Sequence, residues 1–378
     1  MKALGHGANV AQMAERYNKR EEDIIDFSSN INPFVAEGLE SKVMVALSAA
    51  RSYPDIHYTR LREQLANYLK CGKQQVIVGN GATEIMYLLM KAIAELHKEE
   101  QIAADKYTQE LQKMRLGVIN PTFSEYERSA RLNGLEIVDF YLEEVENERR
   151  EFVINLKVVK EQLEQIDALF VCNPNNPTGN VQDLKPLVSL LKEKSIWLIV
   201  DETFMEFVDQ DETYSLIGEI QGYPKLIVIK AITKFYGLPG IRLGYGVTSS
   251  KALLEKMYDY KEPWTVNSFA EQLAGTLLED KAYQVKSKAY FKEERQRMLH
   301  ALRGLKHLTV YDTDTNFILL KLHEMKAGEL KEKLFREDNI LIRDASNFKG
   351  LNDQFVRVAI KAAHENTQLL QALQRILY

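Results

Sequence analysis

One stretch of this 378-residue chain limits its fold more than any other: LIVIKAITKFYGLPGIRLGYGV, Leu226 to Val247. Leu226, Ile227, Val228 and Ile229 form a continuous apolar run with no polar alternation. Such a run belongs to a parallel strand covered on both faces, not to a sheet with one wet side. Gly237, Pro239 and Gly240 then forbid a long helix directly after it. Lys234 is thereby delivered to the C-terminal edge of a sheet, where open α/β folds bind ligands. Arg242 follows eight residues later and leads into a second apolar run. A lysine desolvated by apolar neighbours can lose its proton and form a Schiff base with a carbonyl. An arginine nearby suits a phosphate.

In a chain with 49 Lys and Arg, a lone lysine is ordinarily a solvated surface charge, so Lys234 takes its meaning from its company. Gln75 to Val78 reads as a short strand, and GNGATE, Gly79 to Glu84, opens a helix with Ile85, Leu88, Leu89, Ala92, Ile93 and Leu96 on one face. A strand, a glycine turn and a helix N-terminus together favour an anion. The strand Leu116–Ile119 ends in PTFSEY, which puts Phe123 at the same edge, able to stack on a planar ring or to sit in the core. Ala168–Val171 ends in CNPNNPTG, a rigid turn that aims Asn173, Asn175 or Asn176 into the cleft. Ile196–Val200 ends in Asp201–Glu202. A carboxylate directly after a buried strand is costly unless paired, and a protonated pyridine nitrogen is one such partner, a helix N-cap the plainer alternative. A Schiff-base lysine, a phosphate site and that counter-ion together suggest pyridoxal 5′-phosphate (PLP).

Strands alternating with helices from about 75 to 250 imply a mostly parallel, doubly wound α/β sheet with right-handed crossovers. After Pro263 the pattern becomes α+β: one long helix over 268–305, short strands at 307–311, 316–320, 340–342 and 355–360, and helices at 326–337 and 365–376. The expected domains are 1–50, an N-terminal arm with part of the small domain; 51–262, the large domain; and 263–378, the small α+β domain. Within the arm, a short helix at Val10–Tyr17 precedes DFSSNINPF, Asp26 to Phe34, which should lie over a site or on a partner subunit. The charged stretch 97–114 reads as a solvated surface excursion. Net charge is −5 with the signs interspersed, so nucleic acid is not an expected partner. Cys71 and Cys172 have no disulfide framework or metal-ligand spacing, so no metal is expected. The N-terminus MKALGHGANV lacks a signal-peptide segment, and no window approaches a membrane span of ~18 apolar residues. The expectation is a soluble cytoplasmic protein.

Asp201, Lys234 and Arg242 at strand ends, with NPNNPTG, resemble the fold type I PLP enzymes of the aspartate aminotransferase superfamily over essentially the whole chain. The resemblance implies a large domain with a doubly wound sheet, a smaller α+β domain, PLP as cofactor, and a homodimer with shared active sites. It implies Lys234 as the Schiff-base lysine, Asp201 as partner of the pyridine nitrogen, Asn176 on the phenolic oxygen and Phe123 on the ring. Gly81, Ala82, Thr83, Thr233 and Arg242 would hold the cofactor phosphate, and Tyr53 would reach that of the neighbouring subunit. Two families are close: histidinol-phosphate aminotransferase and L-threonine-O-3-phosphate decarboxylase of cobalamin synthesis. HGAN (His6–Asn9), DFSSNINPF, VGNGATE, PTFSEYE, TKFYGLPGIRLGY and LIRDASNFKGL look more like the decarboxylase. So does Phe204 in DETF, where such aminotransferases usually carry a tyrosine hydroxyl. That likeness implies loss of CO2 from L-threonine O-3-phosphate to give (R)-1-aminopropan-2-ol O-2-phosphate, with transamination the alternative. His6, Asn9, Asn32, Asn176, Arg343 and Arg357 would bind the substrate. Three departures stand out: Ala8 replaces the second glycine of the usual HGGN, Ala231 stands where relatives often have a phosphate-binding Ser or Thr, a loss that Thr233 or Lys230 would offset, and the charged 97–114 segment is longer than the family implies.

Overall fold

The computed structural model describes residues 9–104 and 111–378. Its large sheet has seven strands: β1 (Val76–Asn80), β2 (Arg115–Asn120), β3 (Glu136–Tyr141), β4 (Ala168–Cys172), β5 (Trp197–Asp201), β6 (Leu226–Ala231) and β7 (Leu243–Thr248). Their order is β1-β7-β6-β5-β4-β2-β3. β2 to β6 are parallel, and β7 alone runs antiparallel, between β1 and β6. The continuous apolar run of β6 is explained by its two faces. Leu226 and Val228 pack into the core on one side of the sheet, Ile227 and Ile229 into the core on the other. β5 divides the same way, with Leu198 and Val200 on one side and Trp197 and Ile199 on the other. Each such side chain contributes about 1.5–3 kcal/mol by leaving water, so a polar residue at Val228 would be opposed from every direction.

A second, antiparallel sheet comprises β8 (Leu308–Val310), β9 (Phe317–Leu322), β10 (Arg343–Asp344) and β11 (Phe355–Ala359), in the order β8-β9-β11-β10. The single helix expected over 268–305 is two, Ser268–Glu279 and Lys281–Arg303. Asp280 leaves helical geometry and its carboxylate accepts the Tyr283 N–H at 2.9 Å, capping the second helix. A charged hairpin, Glu143–Glu146 with Arg150–Val153, was not anticipated from the sequence. Among the described residues, no helix is long and apolar enough to cross a membrane.

The Val10–Tyr17 helix forms as expected. Beyond it Ile25–Asp26 pairs in parallel with Ile340–Leu341. The DFSSNINPF segment is then clamped between the two sheets. The Asn32 N–H donates to the Lys234 carbonyl at 3.1 Å, and the Ala359 N–H donates to the Phe27 carbonyl at 2.9 Å. Gly237 permits this, with φ +69° and no room for a side chain: a Cβ there would lie 2.4 Å from the Phe34 carbonyl oxygen.

Candidate active site

A cavity of about 360 Å³ opens at the C-terminal edge of the large sheet, walled by strand ends, the 26–34 segment and residues of the second sheet. Lys234 enters it from the turn after β6. Burial pushes its ammonium down to about 8; Arg357, Arg242 and Lys361 add repulsion, and Asp201 opposes them. Asp201, last residue of β5, is buried and faces the same cavity. Its Oδ2 accepts the Tyr126 hydroxyl at 2.7 Å, and its Oδ1 accepts the Thr203 N–H at 2.8 Å and the Thr203 hydroxyl. Burial raises this carboxyl; the hydrogen bonds and Lys234 work against that rise.

One end of the cavity, suited to an anion, is built on the N-terminus of α1 (Gly81–Ala103), where Ala82 and Thr83 form the wall together with Thr233 and Arg242. A 23-residue helix presents unpaired N–H groups and the positive end of its dipole there. Gly81 contributes space rather than wall. Its φ is +78°, and a Cβ would sit 2.2 Å from Arg242 Nη2, so only glycine lets the guanidinium lie against the first turn. Lys230 does not offset Ala231. It lies one residue earlier on the strand, hence on the opposite face, where its ammonium is buried between Glu202 at 3.3 Å and Glu206 at 3.2 Å.

Of the three asparagines in the CNPNNPTG turn, only Asn176 lines the cavity. Asn173 Nδ2 donates to the Gln182 carbonyl, and Asn175 Nδ2 to the Pro121 carbonyl and the Thr178 hydroxyl. Phe123 is on the wall, edge-on to Tyr126 at 5.7 Å. Phe204 is also on the wall, edge-on to Phe317 at 5.0 Å, so no hydroxyl is offered from that position. Arg343 and Arg357 also line the cavity. Asn347 Oδ1 accepts from Arg343 Nη2 at 2.6 Å, and the Arg343 guanidinium lies 5.1 Å from the Phe348 ring centre. Arg357 donates to Asn176 Oδ1 and to the Ser28 carbonyl at 2.9 Å, while its buried Nε has no partner. Burial and Arg343 together weaken its hold on its proton, and the Asp26 carboxylate works against them.

Asn32, expected on the substrate, is turned away. Its Nδ2 shares two N–H groups among the Phe235 carbonyl at 2.8 Å, the Tyr283 hydroxyl at 2.8 Å and Ser287 Oγ at 3.1 Å, and its Oδ1 accepts the Phe34 N–H. It is a fastener for the segment. Asn30, two residues earlier, is on the cavity wall instead, with a buried Oδ1 that has no partner. The sequence offered both asparagines in NIN, and only the fold tells them apart. Asn9 precedes the first helix, its carbonyl accepting the Met13 N–H, and is not on the cavity wall. His6 lies outside the described residues. Tyr53 is not on the cavity wall either; it is 82 % exposed and packs on Trp264 with ring centres 4.8 Å apart.

A fold of this topology, with a depressed lysine, a buried aspartate and a helix N-terminus converging at one strand edge, has a recognised counterpart. The family model for aminotransferase class I and II matches residues 22–376, and the chain belongs to that family. Within it, the chain is 39% identical to a provisionally named threonine-phosphate decarboxylase of Caldanaerobacter subterraneus subsp. tengcongensis, over 99% of this chain and 94% of the relative. It is 31% identical to the threonine-phosphate decarboxylase of Salmonella typhimurium, over 98% of this chain and 96% of that one. Among solved structures, it is similar to the histidinol-phosphate aminotransferase from Clostridium acetobutylicum, with a TM-score of 0.82 at 33% identity, covering 93% of this chain and 98% of that one.

Proposed function

We propose that this protein is a PLP-dependent L-threonine-O-3-phosphate decarboxylase of cobalamin synthesis, working in the cytoplasm as a homodimer. The residues fit the cofactor. Lys234 is a low-pKa amine inside the cavity, Asp201 a buried carboxylate, and Gly81 leaves a cradle in which Arg242 and the α1 N-terminus meet. Thr83, Thr233 and Arg242 would hold its phosphate, Asn176 its phenolic oxygen and Phe123 its ring. Tyr53, free of this cavity and exposed, would serve the partner subunit's site.

The observation that carries the reading is that Arg343 and Arg357 line one cavity, Arg357 with an orphaned Nε. A substrate with both a phosphate and a carboxylate occupies the two guanidinium groups at once. Asn30 Oδ1 and Asn176 add polar groups beside them. The substrate's amine would displace Lys234, which is then free to act as a proton carrier. PLP supplies the electron sink for a bond broken at Cα. The arginines determine which bond that is, by fixing where the carboxylate stands. When CO2 leaves, the Lys234 ammonium would return one proton to Cα. The product keeps its amine and its phosphate.

The test is CO2 release from L-threonine O-3-phosphate by PLP-loaded protein with no oxo acid added. Stoichiometric CO2 with an aminopropanol phosphate product is expected. The likeness to the Clostridium aminotransferase keeps one other reading in play. Turnover of histidinol phosphate only when 2-oxoglutarate is supplied, with no CO2, would replace the decarboxylase by that reading.

A further inference from the structure

The two oxygens of Asp201 are unequally occupied. A carboxylate accepts about four hydrogen bonds, two per oxygen. Oδ1 accepts two, both from Thr203: the backbone N–H at 2.8 Å and the hydroxyl. Oδ2 accepts one, from Tyr126 at 2.7 Å. Tyr126 is itself immobilised, buried and stacked on Phe170 with ring centres 4.0 Å apart. Thr203, Tyr126 and Asp201 all line the cavity. The backbone N–H alone suffices to close a turn of this kind, so the Thr203 hydroxyl is a second, separate donor to an oxygen already served.

We infer that Thr203 is a positioning residue for Asp201: its hydroxyl saturates Oδ1, leaves Oδ2 as the one oxygen open toward the cavity, and keeps the shared proton on the ring nitrogen rather than on the carboxylate. This rests on the reading that PLP occupies the site. The proton has two bases to choose between, the ring nitrogen and Oδ2. Burial drives Asp201 toward holding it. The groups facing Asp201 are Lys234, the Tyr126 hydroxyl and the Cys172 thiol, the last two kept neutral by burial. With its amine committed to the cofactor, Lys234 would no longer be a free ammonium beside Asp201. The hydroxyl hydrogen bonds then decide, and Thr203 supplies one of the two. Without it the charged pair collapses to a neutral pyridine beside a carboxylic acid, which is a poorer electron sink.

The experiment is 15N NMR of wild type, T203V and T203S loaded with PLP labelled at the ring nitrogen. Wild type and T203S should show the protonated-pyridine shift, and T203V a shift toward neutral pyridine. T203V should also lose about tenfold in kcat with little change in KM, the scale of one hydrogen bond to a charged group. If valine prevents cofactor uptake, T203A removes the same hydroxyl without added bulk. A wild-type ring-nitrogen shift in the hydroxyl-less variants would overturn the assignment. Failure of wild type itself to take up PLP is a different result, which overturns the cofactor reading.

Discussion

Replacing Lys234 by Met removes a charge that the fold holds at a cost, and the apo protein should become more stable. Lysine ordinarily loses its proton near 10.5; burial and three neighbouring cations bring Lys234 down to about 8. At about 1.4 kcal/mol per pH unit, the folded state gives up about 3 kcal/mol to keep this ammonium charged at neutral pH. The sign follows from proton counting. Between pH 8 and 10.5 the unfolded chain binds this proton and the folded chain does not, so this group makes stability rise with pH across that window. Below about 8 both states are charged and the full cost applies. Urea denaturation of apo wild type and K234M at pH 7 and pH 10.5 measures it, because other titrating groups cancel in the difference. The variant should lead by about 3 kcal/mol at pH 7 and by less than about 1 at pH 10.5. A lead that does not change with pH, or a variant less stable than wild type at pH 7, would refute the account of how Lys234 is made reactive. The same displacement leaves about a tenth of Lys234 unprotonated at pH 7, so uptake of an aldehyde cofactor should quicken as pH approaches 8.

Four other outcomes follow from contacts described above. N30A should raise KM for L-threonine O-3-phosphate several-fold with its melting temperature nearly unchanged, whereas N32A, which loses its buried amide contacts to Phe235, Tyr283 and Ser287, should lower Tm by several degrees at little kinetic cost per folded molecule. R357Q should reduce kcat/KM in the CO2 assay by about 100-fold, the consequence of losing a buried charge partner worth 2–5 kcal/mol. G81A should cut PLP affinity at least about tenfold by fluorescence titration, since strain at φ +78° adds to the displacement of Arg242. K230M should lower unfolding free energy by about 3–5 kcal/mol by stranding Glu202 and Glu206, while PLP affinity of the folded protein stays put.

Much of the fold was legible because buried parallel strands cannot hide: β4, β5 and β6 each carry at least four consecutive apolar residues, and cavity residues stand at or just beyond their ends. Asp201 stands where the β5 run ends, Lys234 needed its neighbours to set it apart from a surface lysine, and both line the cavity. Asn176 was one of three asparagines in a turn, and a resemblance was needed to single it out. What failed was anything determined by side-chain parity outside a regular strand. Asn30 and Asn32 are chemically identical and two residues apart, and only the docking of Asn32 against Tyr283 and Ser287 assigns one to packing and the other to the cavity. Lys230 was misjudged for a related reason, one step of strand alternation. The break at Asp280 was missed because aspartate in a charged helix carries no distinct signal until its carboxylate caps the next turn. Thr203 was passed over because a threonine beside an aspartate is unremarkable until both donors are seen on one oxygen.

The clamped 26–34 segment has a consequence for how the protein is made. It sits between the Lys234 turn and β11, and Arg357, which holds the Ser28 carbonyl, lies 329 residues further along the chain. On a ribosome, the large sheet can be complete while this wall is still missing. Among the described residues the cavity is finished by the last strand to emerge, so cofactor capture reports that β11 has been synthesised. Chains stopped before Phe355 should keep the large sheet yet fail to retain PLP, and retention by such a fragment would show that the clamp is dispensable.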